Sequence, residues 1–186
     1  MKNTVDNAPK INDILVGKGI TPPPFSDVDT FPSPSFLPDE KWGKKVYSLL
    51  RHAKQEILIA TFKFEICHKP RGRPLMSLIS ELISARNKNV SVKILLNIGS
   101  EYRSTSPGNL YASKWLSQFG IETKHLARGR TCHLKLLLVD RKSLILGSHN
   151  WSVRSMSSNA EASLFIEDRK INLEIFQYFQ HLWSIS

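Results

Sequence analysis

Residues 133–150, HLKLLLVDRKSLILGSHN, hold two apolar runs separated by a charged break at Asp140-Arg141-Lys142. The runs, Leu134–Asp140 and Ser143–Ser148, predict two adjacent strands joined by a tight turn at Arg141-Lys142. On a strand, residues i and i+2 share a face. His133 and Lys135 are therefore expected to point one way, and Ser148 and Asn150 to do so from the neighbouring strand. The leucines between them are core. Four polar side chains then converge at one end of an apolar hairpin: a histidine able to act as nucleophile or base, a lysine cation, and two neutral hydrogen-bond donors. Such a set suits an anionic group whose charge grows in the transition state, as in phosphoryl transfer. Asp140 follows His133 by seven residues and faces away by the same alternation. It takes a structural role at the strand end, pairing with an Arg or Lys or capping the turn.

Elements alternate on either side of the hairpin. Asp39-Glu40 opens an amphipathic helix over 41–54, with Trp42, Val46, Leu49 and Leu50 at helical spacing. Residues 56–64 (EILIATFKF) read as a buried strand. A basic loop, His68 to Arg73, leads to Pro74, which suits the first turn of a helix running to about Arg86. Val90 to Ile98 is a strand, Asn109 to Phe119 a helix stopped by Gly120, and Ile121 to Leu126 a short strand. A last strand, 161–166, precedes an amphipathic helix over 170–183. Strands alternating with helices imply an α/β sandwich with a mixed sheet.

The 186 residues fit one ordinary domain, able to bury about two thirds of its unfolded surface without staples. Two cysteines exclude a disulfide framework and a Cys-rich zinc scaffold. No apolar run reaches membrane-spanning length, and Asn, Asp and Lys interrupt the place where a signal peptide keeps its apolar stretch. The expected location is the cytoplasm, without stable membrane association. Net charge is +10, unevenly placed: residues 1–40 carry −3 and residues 41–186 carry +13. A body this basic calls for a polyanionic partner, with nucleic acid first and an anionic membrane second. Seven of the ten prolines lie in the first 38 residues. Residues 19–38 are therefore neither helix nor central strand. The division is an N-terminal arm, 1–40, and a folded body, 41–186. The arm's Phe25, Phe31 and Phe36 suit docking on the body or on a partner chain.

The pattern His-x-Lys-x4-Asp-x6-Gly-Ser-x-Asn, filled by His133, Lys135, Asp140, Gly147, Ser148 and Asn150, resembles the HKD motif of the phospholipase D superfamily. Glu161, eleven residues after Asn150, resembles the acidic residue that follows that motif, and the strand from Ile57 to Phe64 resembles the family's first core strand. The similarity covers 41–186. Ala162 departs from it, standing where relatives often carry Asn. The resemblance implies a mixed sheet with helices on both faces. With one motif rather than two, the chain looks like the short bacterial Nuc-type endonucleases, which build one site from two chains. That likeness implies a homodimer and metal-independent cleavage of a phosphodiester, most simply DNA, through a phosphohistidine. One His133 would attack phosphorus and the partner's would protonate the leaving oxygen. Lys135 and Asn150 would clamp the non-bridging oxygens, with Ser148 beside them, and Glu161 would accept an imidazole N–H. Asp140 and Gly147 would serve the motif's frame.

The remaining signals are weaker. His149 alternates with Ser148 and Asn150 and reads as structural. The segments His68-Lys69-Pro70-Arg71-Gly72-Arg73 and His125 to Arg128-Gly129-Arg130 read as phosphate-contacting rims. Cys67-His68 and Cys132-His133 are too few ligands for a metal once His133 is committed to phosphorus, so no cofactor is expected. Two other functions stay open: a phospholipase or cardiolipin hydrolase of the same superfamily, and a nucleic-acid-binding module without catalysis.

Overall fold

A computed structural model of the chain describes residues 33–99, 105–126 and 129–186. Its strands are β1 (Ser35–Pro38), β2 (Glu56–Thr61), β3 (Ser91–Leu96), β4 (Glu122–His125), β5 (Lys135–Val139), β6 (Ser143–Gly147) and β7 (Ala162–Ile166). Its helices are α1 (Glu40–His52), α2 (Arg73–Asn87), α3 (Ser106–Ser117) and α4 (Arg169–Ser184), with a short 3-10 turn at Pro70–Gly72. The strands form one mixed sheet in the order β1-β7-β6-β5-β2-β3-β4. β2, β3 and β4 run parallel, whereas β5, β6, β7 and β1 join antiparallel. The α/β class and the mixed sheet expected from the alternation are thus present.

Helices cover both faces because the central strands are apolar on both. Ile57 and Ile59 of β2, with Leu137 of β5, pack with Val46, Leu50, Leu78, Ile79 and Leu116 from α1, α2 and α3. The alternate residues Leu58, Ala60, Leu136 and Leu138 pack with Phe179 and Leu182 of α4. A strand buried on both faces reads as a continuous hydrophobic run. That is why ILIA at 57–60 and LLLV at 136–139 carried no visible alternation.

The folded body starts earlier than residue 41. Residues 35–38 are an edge strand, with Ser35↔Phe165 and Leu37↔Ser163 in register with β7. Proline is tolerated there because an edge strand leaves half its backbone N–H groups unpaired. Alternation along β1 buries Leu37 completely and leaves Phe36 61% exposed, so Leu37 rather than Phe36 anchors this end of the arm. Phe25 and Phe31 lie outside the described residues. Asp39 does not cap α1 with its side chain. It takes φ 40°, and its carboxylate accepts from Glu161 N at 2.9 Å. Among the described residues no helix is long and apolar enough to cross a membrane.

Candidate active site

The hairpin β5–β6 holds the motif. Its turn is closed by Lys142 N donating to Val139 O at 2.9 Å, with Asp140 and Arg141 both at positive φ. Positive φ at successive turn residues matches the twist of paired strands. Leu137↔Ile145 and Leu136↔Leu146 set the register. Extended past the strand ends, that register would put Ser148 and Asn150 on the face opposite Lys135, contrary to the expected convergence by alternation. The chain avoids this by ending β6 at Gly147. A Cβ at Gly147 would lie 2.3 Å from Ala162 O and 2.4 Å from Ser163 Cα, so only glycine lets β7 approach this closely. Beyond it, side-chain directions are set by specific bonds instead.

Asn150 is turned inward by its oxygen, which accepts from Lys63 N at 3.1 Å and Thr61 Oγ1 at 3.4 Å. With the oxygen spent on donors, the amide NH₂ is the group left to offer, and it can only donate. Thr61 stands next to Lys135 in the sheet. Lys135 Nζ donates to His133 O at 2.9 Å and lies 5.4 Å from the Phe62 ring. The His133 ring meets the same phenylalanine edge-on, with centroids 5.0 Å apart, and is otherwise exposed. His133, Lys135 and Asn150 are therefore gathered around residues 61–63. Burial holds the Lys135 ammonium below the usual lysine range, although nearby Cys132 and Glu161 oppose the shift. Cys132 is itself buried, its thiol pushed up to about 11 by desolvation, and it behaves as packing.

Glu161 sits just before β7. It accepts from Ser148 Oγ, from Ser155 Oγ at 2.9 Å and from Asn159 Nδ2 at 2.9 Å. Burial alone would raise its pKa, but these three bonds outweigh it and keep the carboxyl below the usual range. Within one chain Glu161 thus orders the 148–161 loop and makes no described bond to His133. About one of its four acceptor positions remains for an imidazole N–H. Ser148 links Glu161 to β7, since its hydroxyl also accepts from Ala162 N at 3.0 Å.

Asp140 performs neither of the two tasks expected of it. Its carboxylate reaches back to the α1–β2 connection and accepts from Lys54 N, Gln55 N and Glu56 N at 2.9, 2.7 and 3.0 Å. Its partners are backbone N–H groups far away in sequence, so no spacing pattern points to them. The cation beside the turn is Arg141, which pairs with Glu56. His149 is 2% exposed. It stacks on Trp42 at 5.0 Å, with Nδ1 2.8 Å from Ser163 Oγ and Nε2 3.1 Å from Asp39 O.

The basic rims divide. Lys69, Arg71, Arg73 and Arg130 are exposed, whereas Arg128 lies outside the described residues. His68 is half-buried, its ring tilted against Trp115 at 5.9 Å. Arg73 starts α2 rather than ending a loop. His125 is not a rim residue. It belongs to β4, and burial keeps it from protonating at its ordinary pKa. Among the described residues no three His, Cys, Asp or Glu side chains cluster as metal ligands.

Two amides were missed by sequence reasoning. Asn109, fully buried on α3, accepts from Phe64 N at 2.8 Å and donates to Phe62 O and Asn97 O at 2.9 and 2.6 Å. Asn97 Oδ1 accepts from Cys132 N at 2.9 Å. Together they fix the segment under His133. The available signal was periodic: Asn109 shares a helix face with Ala112 and Leu116, where a polar residue must be satisfied.

Residues 46–183 match the family described as cardiolipin synthase, PLD-like domain. The mitochondrial cardiolipin hydrolase of Canis lupus familiaris is 25% identical over 137 residues, covering 74% of this chain and 51% of the relative. Cardiolipin synthase B of Salmonella typhi is 29% identical over 124 residues, covering 67% of this chain and 28% of the relative. The chain spans about half the length, or less, of these curated relatives. Among solved structures, Nuc of Salmonella typhimurium, a phospholipase D family member, superposes with a TM-score of 0.67 at 20% identity. That match covers 82% of this chain and 96% of Nuc. With a family match over residues 46–183 and the motif side chains gathered around one exposed histidine, the chain belongs to the phospholipase D superfamily of phosphodiesterases.

Proposed function

We propose that the chain is a metal-independent endonuclease, acting most simply on DNA, whose site is completed by a second copy of itself. The observation that carries this is His133: it is exposed, its neighbours Lys135 and Asn150 offer only donors, and no second motif histidine is present in the chain. In-line displacement needs a nucleophile and an acid on opposite sides of phosphorus. A twofold axis supplies the second His133. One imidazole nitrogen forms a bond to phosphorus as the bond to the leaving oxygen breaks, and the other chain's imidazolium gives that oxygen its proton. The resulting neutral imidazole then takes a proton from water. The water oxygen bonds to phosphorus, the P–N bond breaks, and both histidines are restored. Lys135 and the Asn150 amide of each chain offset the charge of the non-bridging oxygens, while the spare acceptor position of Glu161 holds an imidazole N–H.

The net charge of +10 supports nucleic acid as the polyanion. A second reading, cardiolipin hydrolysis, is favoured by the names of the curated relatives. Incubation with plasmid and with cardiolipin-containing vesicles, each in excess EDTA, separates them. Nicking of the plasmid with intact lipid is expected. Lipid hydrolysis with intact plasmid reverses the assignment, and activity that vanishes in EDTA and returns with a divalent ion defeats the metal-independent chemistry.

A further inference from the structure

A cavity of about 510 Å³ opens beside the site and takes no part in the chemistry described above. It shares a wall with that chemistry. Lys63 N, which donates to Asn150, is followed two residues later by Glu65, which lines the cavity. Glu65 N donates to Trp151 O at 2.8 Å, and Trp151 N donates to Lys63 O at 3.1 Å. Two extended residues span on the order of 7 Å. The cavity therefore begins about two residues along the chain from the backbone N–H that holds Asn150.

Its exposed lining is Arg71, Gly108, Tyr111, Arg154, Ser157 and Ser158. The guanidinium groups of Arg71 and Arg154 form no salt bridge with a described carboxylate. Glu65 lies close enough to Arg71 to feel its charge, but its carboxylate is bonded to Lys63 at 2.5 Å and to Val153 N at 2.8 Å rather than to either arginine. Tyr111 is 54% exposed on α3 and lines the cavity. Two guanidinium groups outside any described salt bridge suit phosphate oxygens, and an exposed ring suits a flat π-face. One ligand offers both, a nucleotide. Its base must be unpaired, since a base inside a duplex is covered on both faces and cannot reach Tyr111.

We infer that this cavity binds the unpaired nucleotide next to the scissile phosphate, with Arg71 and Arg154 on its phosphate and Tyr111 against its base. The inference rests on the nucleic-acid reading above and narrows it to sites where that nucleotide is unpaired, in a single strand or where a supercoiled duplex opens.

Binding measured in a His133→Ala background, which keeps the probe intact, tests it separately from catalysis. The probes are a fluorescent single-stranded oligonucleotide, its duplex form, and cardiolipin-containing vesicles. Tyr111→Ala should weaken single-strand binding about five-fold or more and leave the duplex unaffected. Tyr111→Phe, which keeps the π-face, should restore it. Gly108→Leu fills the cavity from a helix position where a Cβ meets nothing within 4 Å, so it should fold normally and weaken the same probe. Replacing both Arg71 and Arg154 by Gln should reduce the single-strand salt slope by about 1.4. Unchanged single-strand affinity in Tyr111→Ala and in a folded Gly108→Leu overturns the assignment. Loss of vesicle binding instead, with oligonucleotide binding intact, overturns it in favour of a lipid headgroup. If the oligonucleotide binds through these residues but the wild-type chain leaves it uncut, the subsite stands and the nuclease reading falls.

Discussion

Asp140→Ala should destabilise the protein without touching the chemistry. The carboxylate accepts three backbone N–H bonds, from Lys54, Gln55 and Glu56. Hydrogen bonds to a charged group contribute about 1.5–3 kcal/mol each when buried, and less where water can replace the partner. Water reaches the bonds from Lys54 and Gln55, while the one from Glu56 is partly buried. The sum expected for the truncation is about 2–4 kcal/mol. Asp140 also sits at φ 52°, which costs alanine roughly 1 kcal/mol more than it costs Asp or Asn. For a chain of this length each kcal/mol moves Tm by about 2–4 °C, so Tm should fall on the order of 10 °C. Asp140→Gly removes the carboxylate but relieves φ, and should fall less than Ala. Asp140→Asn keeps one acceptor oxygen and should fall least. Thermal unfolding by circular dichroism reads the series, alongside cleavage assayed well below Tm. If Tm stays constant while cleavage disappears, Asp140 belongs to the reaction and the reasoning is wrong.

His133→Ala should abolish turnover and melt like wild type, because the ring is exposed and contributes little to the core; a variant keeping about a tenth of the rate, 1.4 kcal/mol, would exclude it as nucleophile. Excess His133→Ala chains mixed with wild type should suppress activity as heterodimers form, and a fully active monomer by light scattering would contradict the shared site. Stability should decline in acid in two stages. His149 and His125 have folded pKa values lowered by burial, so their contribution is complete above about pH 6.5 and is lost as pH falls below it. Glu161 and Glu65 are also lowered, so theirs is complete above about pH 4.5 and is lost as pH falls further. A Tm that is flat from neutral pH down to pH 5, measured in one buffer series, would show that the buried histidines do not oppose protonation.

Much of this was legible because it is local. Apolar runs marked β2, β3, β5, β6 and β7, and helix periodicity marked α1 and α2 within two residues of their ends. The spacing of His133, Lys135 and Asn150 singled out the residues that gather around Phe62. The route by which they gather was not legible. Alternation predicted that Ser148 and Asn150 would share a face with Lys135, yet the register places that parity on the opposite face. What corrects it is the end of β6 at Gly147 and a bond from Lys63 N, a residue 87 positions from Asn150. Asp140 went the same way: its partners are backbone groups 84 to 86 positions away, and backbone N–H groups carry no sequence signature.

The N-terminal boundary shows the same limit with a mechanical consequence. Proline content drew the line at residue 40, but sheet pairing puts it before β1. Asp39 then joins that edge strand to the motif. Its N–H donates to Glu161 O at 3.1 Å, its carboxylate accepts from Glu161 N, and its carbonyl oxygen accepts from His149. His149 lies between Ser148 and Asn150, and Glu161 orders the loop that follows them. Both ends of the 149–161 loop are therefore tied to one residue, held at φ 40° where a non-glycine backbone is strained. The tie survives because packing surrounds it: Trp42 stacks on His149 and meets Trp151 edge-on at 5.8 Å, and Trp151 stacks on Phe64 at 5.3 Å. The residues that shape the site loop thus include the junction between β1 and α1, a segment that composition had assigned to a separate arm.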